Sequence, residues 1–187
     1  MYKRQTLLID FDLRKPSLHK LFGEARNAHP GIVNILTKTA PQEDALTKYD
    51  ALPNLTVIFS GPKSPNPGEL LEPSKLEALL DKFSKDYDHI VIDSAPLLAV
   101  PDTRILAPLS QNLALVVRAD QTPRKAVQSS INLLDGAGVV PDGIILNGFS
   151  QKRAKSGSYG YAYQEYSEEE DPEDSEIRLP QPAHEHF

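Results

Sequence analysis

Residues 7–16 read Leu-Leu-Ile-Asp-Phe-Asp-Leu-Arg-Lys-Pro, and this stretch decides the fold. The three aliphatic residues predict a buried parallel strand, and Asp10, Asp12 and Arg14 follow where that strand ends. Open α/β sheets bind ligands at the carboxyl ends of their strands, so these residues are placed for metal and phosphate chemistry. We expect that only one of the two carboxylates, Asp10 or Asp12, faces a ligand. The alternative is a strand followed by a charged, solvated turn.

A second strand repeats this pattern. Residues 89–96 place Asp93 after the apolar run Ile-Val-Ile and break the chain at Pro96. In P-loop proteins this is the Walker B pattern, whose aspartate holds Mg²⁺ directly or through water. Two such strands in one short α/β chain favour a phosphate-binding site.

The rest of the chain predicts alternating strands and helices. Further strands are predicted over residues 55–59, 112–118 and 143–148, and the strand at 112–118 is predicted to be buried. Helices are predicted over 18–22, 32–36, 41–46, 74–87, 102–109 and 122–134. Pro62, Pro65 and Pro67 predict a stiff, non-helical loop from residue 61 to residue 68. This alternation predicts an α/β fold, with a parallel sheet flanked by helices and joined by right-handed crossovers.

Composition divides the chain into a domain at 1–150 and a tail at 151–187. Residues 1–164 hold 19 Lys/Arg against 17 Asp/Glu, and residues 165–187 hold one Arg against nine acids, so the net charge of -6 is the sum of +2 and -8. The tail has too little apolar surface for a packed core and is predicted to be disordered. A near-neutral domain argues against nucleic acid as a partner. The absence of cysteine and of a long apolar run predicts a cytoplasmic protein.

Four tyrosines lie close together in the tail, at Tyr159, Tyr161, Tyr163 and Tyr166. Tyrosines interleaved with Gly, Ser and Ala in a disordered segment present accessible hydroxyl groups, and the acids that follow favour phosphorylation sites. The alternative is a low-complexity tail with adhesive aromatic residues.

Four features together resemble the bacterial tyrosine autokinases (BY-kinases) of capsule and exopolysaccharide biosynthesis. These are the run from Leu8 to Phe22, the segment Asn-Pro-Gly-Glu-Leu-Leu at 66–71, the strand from Tyr87 to Ser94 and the tyrosine cluster. The match covers nearly all of residues 6–166. The resemblance implies a P-loop NTPase fold of the MinD/ParA class and protein-tyrosine kinase activity with ATP and Mg²⁺.

The resemblance also assigns roles to single residues. Residues 9–14 are similar to the Walker A-prime motif, in which Asp10 would hold Mg²⁺ and act as base, with Asp12 supporting it. Asp93 would be the Walker B metal residue, and Asn147 would contact the adenine ring. Arg14 would stabilise charge or hold the acids in place, and the sequence does not decide between these roles.

Partners and location follow from the resemblance in the same way. In the family, the tail tyrosines are phosphorylated in trans by neighbouring copies of the intact kinase in a ring. Their phosphorylation state controls polymer export together with a membrane-spanning co-polymerase activator, and a cognate tyrosine phosphatase is expected. The kinase would then be cytoplasmic, at the inner face of the plasma membrane.

One departure from the family pattern has mechanistic consequences. The 187 residues contain no Gly-x-x-Gly-x-Gly-Lys-Ser/Thr motif, which in the family precedes the Walker A-prime strand. We therefore expect an N-terminally truncated domain that lacks the first strand and the P-loop, and that is inactive as given. The missing strand would leave a gap in the sheet beside residues 90–92 and 113–117. A MinD/ParA-type partition ATPase and a non-catalytic phospho-acceptor module are the alternative functions.

Overall fold

A computed structural model describes residues 4–149 of the chain. It contains six strands, six α-helices and two 3₁₀ turns within these residues. The strands are β1 (Thr6–Asp10), β2 (Thr47–Lys48), β3 (Leu55–Ile58), β4 (His89–Asp93), β5 (Ala114–Arg118) and β6 (Gly143–Asn147). The helices are α1 (Leu18–Leu21), α2 (Ile32–Thr37), α3 (Pro67–Leu70), α4 (Pro73–Phe83), α5 (Asp102–Leu106) and α6 (Arg124–Asp135), and the 3₁₀ turns are Gln42–Ala45 and Ala107–Leu109.

The main sheet has four strands in the order β2-β3-β1-β4. β1 lies in its interior and pairs in parallel with both β3 and β4, in a register that aligns Ile9 with Ile58 and with Ile92. β2 pairs with β3 in the antiparallel direction. The predicted α/β fold with a parallel sheet is confirmed, with a short antiparallel edge strand that the sequence pattern did not reveal.

The core lies on both faces of this sheet. On one face the side chains of Leu7 and Ile9 are fully buried in a cluster that includes Leu76 and Phe83 of α4. The apolar stripe of α4 forms this contact because residues seven apart lie on one face of a helix. The other face carries a smaller aromatic cluster in which Phe22 stacks on Tyr49 at 5.1 Å between ring centroids. These two clusters fix the position of β1.

The last two strands form a separate parallel sheet, β5-β6. Among residues 4–149, β4 has β1 as its strand partner and β5 has β6, so the predicted gap between residues 90–92 and 113–117 is confirmed. A cleft of about 1090 Å³ lies there, lined by both strands and by residues of the helices around them. The prediction that the strand at 112–118 is buried is wrong for most of β5, since Val116 is 57% exposed, although Val117 is buried.

Several helix predictions need correction. The predicted non-helical loop ends earlier than expected, because α3 begins at Pro67, where a first-turn proline costs no hydrogen bond. The helix predicted over 74–87 runs over Pro73–Phe83, and the one predicted over 102–109 divides into α5 and the second 3₁₀ turn. The segment predicted as a short helix at 41–46 is the first 3₁₀ turn. None of the helices described in residues 4–149 is long and apolar enough to cross a membrane.

Candidate active site

Two carboxylates from neighbouring strands lie side by side at the end of the main sheet. Asp10 ends β1 and Asp93 ends β4, and the two residues are direct partners in the parallel register. The ladder continues one residue further, where the Phe11 amide donates to the Asp93 carbonyl at 2.7 Å. Adjacent strands are about 4.8 Å apart, so the register brings together two acids that are 83 positions apart in the sequence.

The Asp10 carboxyl group is fully buried. Its Oδ1 accepts a hydrogen bond from the Asp12 amide at 3.1 Å. Its Oδ2 is buried and has no hydrogen-bond partner among the described residues. Burial raises the pKa of Asp10 to about 6, and the nearby charge of Asp93 acts in the same direction. A buried carboxylate oxygen without a donor is suited to a cation or to a proton.

Asp93 is more open to solvent than Asp10. Partial shielding of its carboxyl group, together with the charge of Asp12, raises the pKa of Asp93 above its ordinary value of 3.8. Each of the two paired carboxylates is therefore harder to ionise than a carboxylate in water. A bound cation would relieve this cost for both residues.

Asp12 has a structural role in the turn that follows β1. Its Oδ1 accepts hydrogen bonds from the backbone amides of Arg14 and Lys15, at 3.2 Å and 2.9 Å. This side chain shapes the loop, and its backbone amide holds Asp10. The predicted role of Asp12 in catalysis stays a prediction.

The Arg14 side chain is bound to a residue that sequence reasoning missed. Its Nε and Nη2 donate to the two carboxylate oxygens of Asp102 at 2.8 Å and 2.9 Å. Asp102 is the first residue of α5 and is fully buried. The guanidinium group is thus held by Asp102, and its described contacts do not include Asp10 or Asp93. An acid directly after Pro101 was the one available signal, but such acids are common at helix starts.

The other predicted residues lie elsewhere. Asn147 ends β6 in the second sheet, aligned with Arg118, and its Oδ1 accepts from the Gly148 amide at 2.7 Å. The structure therefore places it in a different sheet from the two carboxylates. The four tyrosines at 159, 161, 163 and 166 lie outside the described residues.

The donor set fits Mg²⁺ in part. Within residues 4–149, no three His, Cys, Asp or Glu side chains are grouped to hold a metal ion by themselves. Mg²⁺ usually takes one or two carboxylates and completes its octahedral shell with phosphates and water. Asp10, with its free Oδ2, and Asp93 supply that number of carboxylates.

Known proteins resemble this chain in both sequence and fold. CapB from Staphylococcus aureus, which carries the name of a tyrosine-protein kinase, is 34% identical over 161 residues, covering 86% of this chain and 68% of CapB. The kinase domain of VpsO superposes with a TM-score of 0.73 at 37% identity, covering 79% of this chain and 71% of that domain. The chain belongs to the family of bacterial tyrosine-protein kinases.

Some family members are much longer than this chain. The tyrosine-protein kinase Ptk from Acinetobacter johnsonii is 34% identical over 151 residues, which cover 81% of this chain and 20% of Ptk. MinD from Aquifex aeolicus has a TM-score of 0.64 at 21% identity, which shows that this tyrosine-kinase chain shares the fold of MinD-type ATPases. No model of a known protein family matches the chain.

Proposed function

We propose that this chain carries the acidic part of a protein-tyrosine kinase active site. The proposed reaction transfers the γ-phosphoryl group of ATP to tyrosines of the C-terminal cluster in trans. The observation that carries the proposal is the direct pairing of Asp10 with Asp93 at the end of the main sheet. Asp10 and Asp93 would hold Mg²⁺, which would neutralise charge on the phosphates of ATP.

The chain's own residues have separate roles in this scheme. In the transfer, the tyrosine oxygen forms a bond to the γ-phosphorus while the bond from that phosphorus to the β-phosphate bridging oxygen breaks, and ADP leaves. The tyrosine hydroxyl loses its proton, for which the buried Asp10 is the proposed acceptor. The Asp12 turn holds the loop that carries Arg14. Asn147 is the proposed contact of the adenine ring.

The 187-residue polypeptide is proposed to have little kinase activity by itself. Its sequence has no P-loop, whose backbone amides and lysine bind the phosphates and stabilise the transition state. In the cell, the proposed partners are intact copies of the kinase in a ring, a membrane-spanning co-polymerase activator and a tyrosine phosphatase. The proposed location is the inner face of the plasma membrane.

A labelling experiment tests the kinase proposal. The purified chain is incubated with ATP and Mg²⁺, alone and with an intact bacterial tyrosine kinase, and tyrosine phosphorylation is located by mass spectrometry. We expect no labelling alone and labelling at Tyr159, Tyr161, Tyr163 and Tyr166 when the intact kinase is added. Labelling of the chain alone would disprove the proposed inactivity, and a quadruple Tyr→Phe variant that is labelled equally would disprove the assigned acceptors.

A metal-binding experiment tests the acidic site itself. Mn²⁺ reports on Mg²⁺ sites through electron paramagnetic resonance, and its affinity is measured for the chain and for Asp10→Asn and Asp93→Asn. Each substitution is expected to weaken binding by at least about 10-fold, because each removes a ligand. The matched control is Asp88→Asn, which changes an exposed acid just before β4. Unchanged affinity in the two site variants would contradict the proposed site.

The second candidate function is a non-catalytic phospho-acceptor module. The observation that favours it is the combination of a tyrosine cluster with the absence of a P-loop in these 187 residues. It requires no metal at the acidic pair. Acceptor labelling by an intact kinase without Mn²⁺ binding at Asp10 and Asp93 would support this candidate over the kinase.

A further inference from the structure

The first turn of α5 contacts both loops that leave the acidic strand ends. Asp102 receives the Arg14 guanidinium group, which belongs to the loop after β1. The next residue, Thr103, donates from its hydroxyl to the carbonyl of Ala95 at 2.5 Å, in the loop after β4. Two consecutive residues of one helix therefore join the two segments that follow Asp10 and Asp93.

The buried carboxylate of Asp102 needs the Arg14 guanidinium group to compensate for its burial. The carboxylate is fully buried and the Arg14 side chain is 37% exposed, so the pair lies at the boundary of the core. Burying a carboxylate is unfavourable unless a cation and good hydrogen bonds compensate for the lost water. The two-point geometry fixes the direction as well as the position of the guanidinium group.

A continuous set of hydrogen bonds connects Asp102 to Asp10. The Arg14 side chain binds Asp102, while its backbone amide donates to Asp12 Oδ1. The Asp12 amide in turn donates to Asp10 Oδ1. On the other strand, Thr103 holds Ala95, two residues after Asp93. A shift of α5 would thus move both strand ends.

We infer that Asp102 and Thr103 are positioning residues that hold the Asp10 and Asp93 carboxylates in one geometry. They act through Arg14 and Ala95 and do not touch the reacting atoms. The metal-binding part of this inference rests on the proposed function. The positional part concerns this chain's own hydrogen bonds and is tested without a metal.

The first measurement is amide hydrogen exchange at Asp12 and Phe11, whose amides donate to Asp10 Oδ1 and to the Asp93 carbonyl. Asp102→Asn is expected to speed exchange at these two amides by at least about 10-fold relative to amides of α4. Thr103→Val is the milder second variant if Asp102→Asn fails to fold, and it is expected to speed exchange at the same two amides. Thr103→Ser keeps the hydroxyl group and is expected to show exchange as slow as in the unmodified chain. Unchanged exchange at Asp12 and Phe11 in the folded variants would overturn the inference.

The second measurement is Mn²⁺ affinity in the same variants. Loss of a residue that orients a metal ligand typically weakens binding by about 10- to 100-fold, and we expect the lower value for Asp102→Asn. Leu79→Ala in α4 is the control for a general loss of packing, because Leu79 packs against the main core and is not part of the hydrogen bonds that link Asp102 to Asp10. It should leave the Mn²⁺ affinity unchanged. If the unmodified chain binds no Mn²⁺, the proposed metal site fails while the exchange result still decides the positional inference. If the chain binds Mn²⁺ and Asp102→Asn binds it equally well, the inference about Asp102 fails while the proposed metal site stands.

Discussion

β1 and β6 have similar sequences but very different surroundings. Both have five residues and end in a polar residue after three aliphatic ones, as Thr-Leu-Leu-Ile-Asp and Gly-Ile-Ile-Leu-Asn. Leu7 and Ile9 of β1 are fully buried, whereas Leu146 of β6 is 56% exposed. The difference comes from neighbours, because β1 pairs on both sides and β6 pairs with β5. A run of apolar residues therefore predicts a strand, but adjacent elements decide how much of it is buried.

The polar residues that end these strands differ in the same way. Asp10 is enclosed at the end of β1, where the neighbouring Asp93 and the turn after β1 surround it. Asn147 ends β6 as an exposed residue whose described side-chain bond is to the next amide in the chain. Of these two strand ends, the end of β1 is the one that holds a carboxyl group with a raised pKa.

The largest expected effect is on the free energy of unfolding when a leucine of each strand is shortened. Leu7→Ala should lower it by about 2–5 kcal/mol, because the substitution leaves a cavity in the main core. Leu146→Ala is the matched change in β6 and should cost less than about 1 kcal/mol, since that side chain is already largely in water. Urea unfolding followed by circular dichroism measures both values.

A result in which both leucine variants lose similar stability would break the comparison. It would mean that Leu146 is buried in solution by something that covers the second sheet. Amide hydrogen exchange would then show β6 protected as strongly as β1. The comparison instead predicts that amides of β5 and β6 exchange faster than those of β1 and β3.

The next expected effect concerns Asp10 and pH. Its pKa is raised to about 6 in the folded chain, so between about pH 4 and pH 6 the folded state binds more protons than the unfolded state. The contribution of Asp10 to stability is fully present below about pH 4 and falls as the pH rises through about 6. Raising the pKa of Asp10 from 3.8 to about 6 corresponds to about 3 kcal/mol at most.

Asp10→Asn should remove this pH dependence. The difference in unfolding free energy between the unmodified chain and the variant should therefore change by up to about 3 kcal/mol between pH 4 and pH 7, in the direction that favours the variant at pH 7. Asn147→Asp is the matched control at the end of β6, where the exposed carboxylate should add little pH dependence. A difference that stays flat across this range would contradict the raised pKa of Asp10.

Local patterns in the sequence predicted the elements that carry the chemistry. An aliphatic run followed by an acid identified β1 and β4, and parallel pairing then placed Asp10 beside Asp93. The contact between Arg14 and Asp102 could not be predicted, because the two residues are 88 positions apart and only the packing of α5 brings them together. The start of α3 at Pro67 was missed because a proline that excludes a helix interior also suits a helix start. The exposure of β5 was missed because burial depends on neighbouring elements.

The smallest effect that still distinguishes the two sheets comes from adding one methyl group to a glycine. A Cβ at Gly31 would lie closer than 3.0 Å to the backbone of Phe59 and Gly61, where the amides of Ile32 and Val33 bond to carbonyls that follow β3. Gly31→Ala should therefore cost about 1–3 kcal/mol of unfolding free energy, because backbone atoms must move apart.

Gly143→Ala is the matched substitution in the second sheet. A Cβ at Gly143 would meet nothing within 4 Å, so the change should be neutral or should stabilise the chain by up to about 1 kcal/mol through the unfolded state. Both variants are compared with the unmodified chain by thermal unfolding. If Gly143→Ala destabilised the chain as much as Gly31→Ala, then another segment would have to lie against the start of β6, and the second sheet would be as tightly packed as the first.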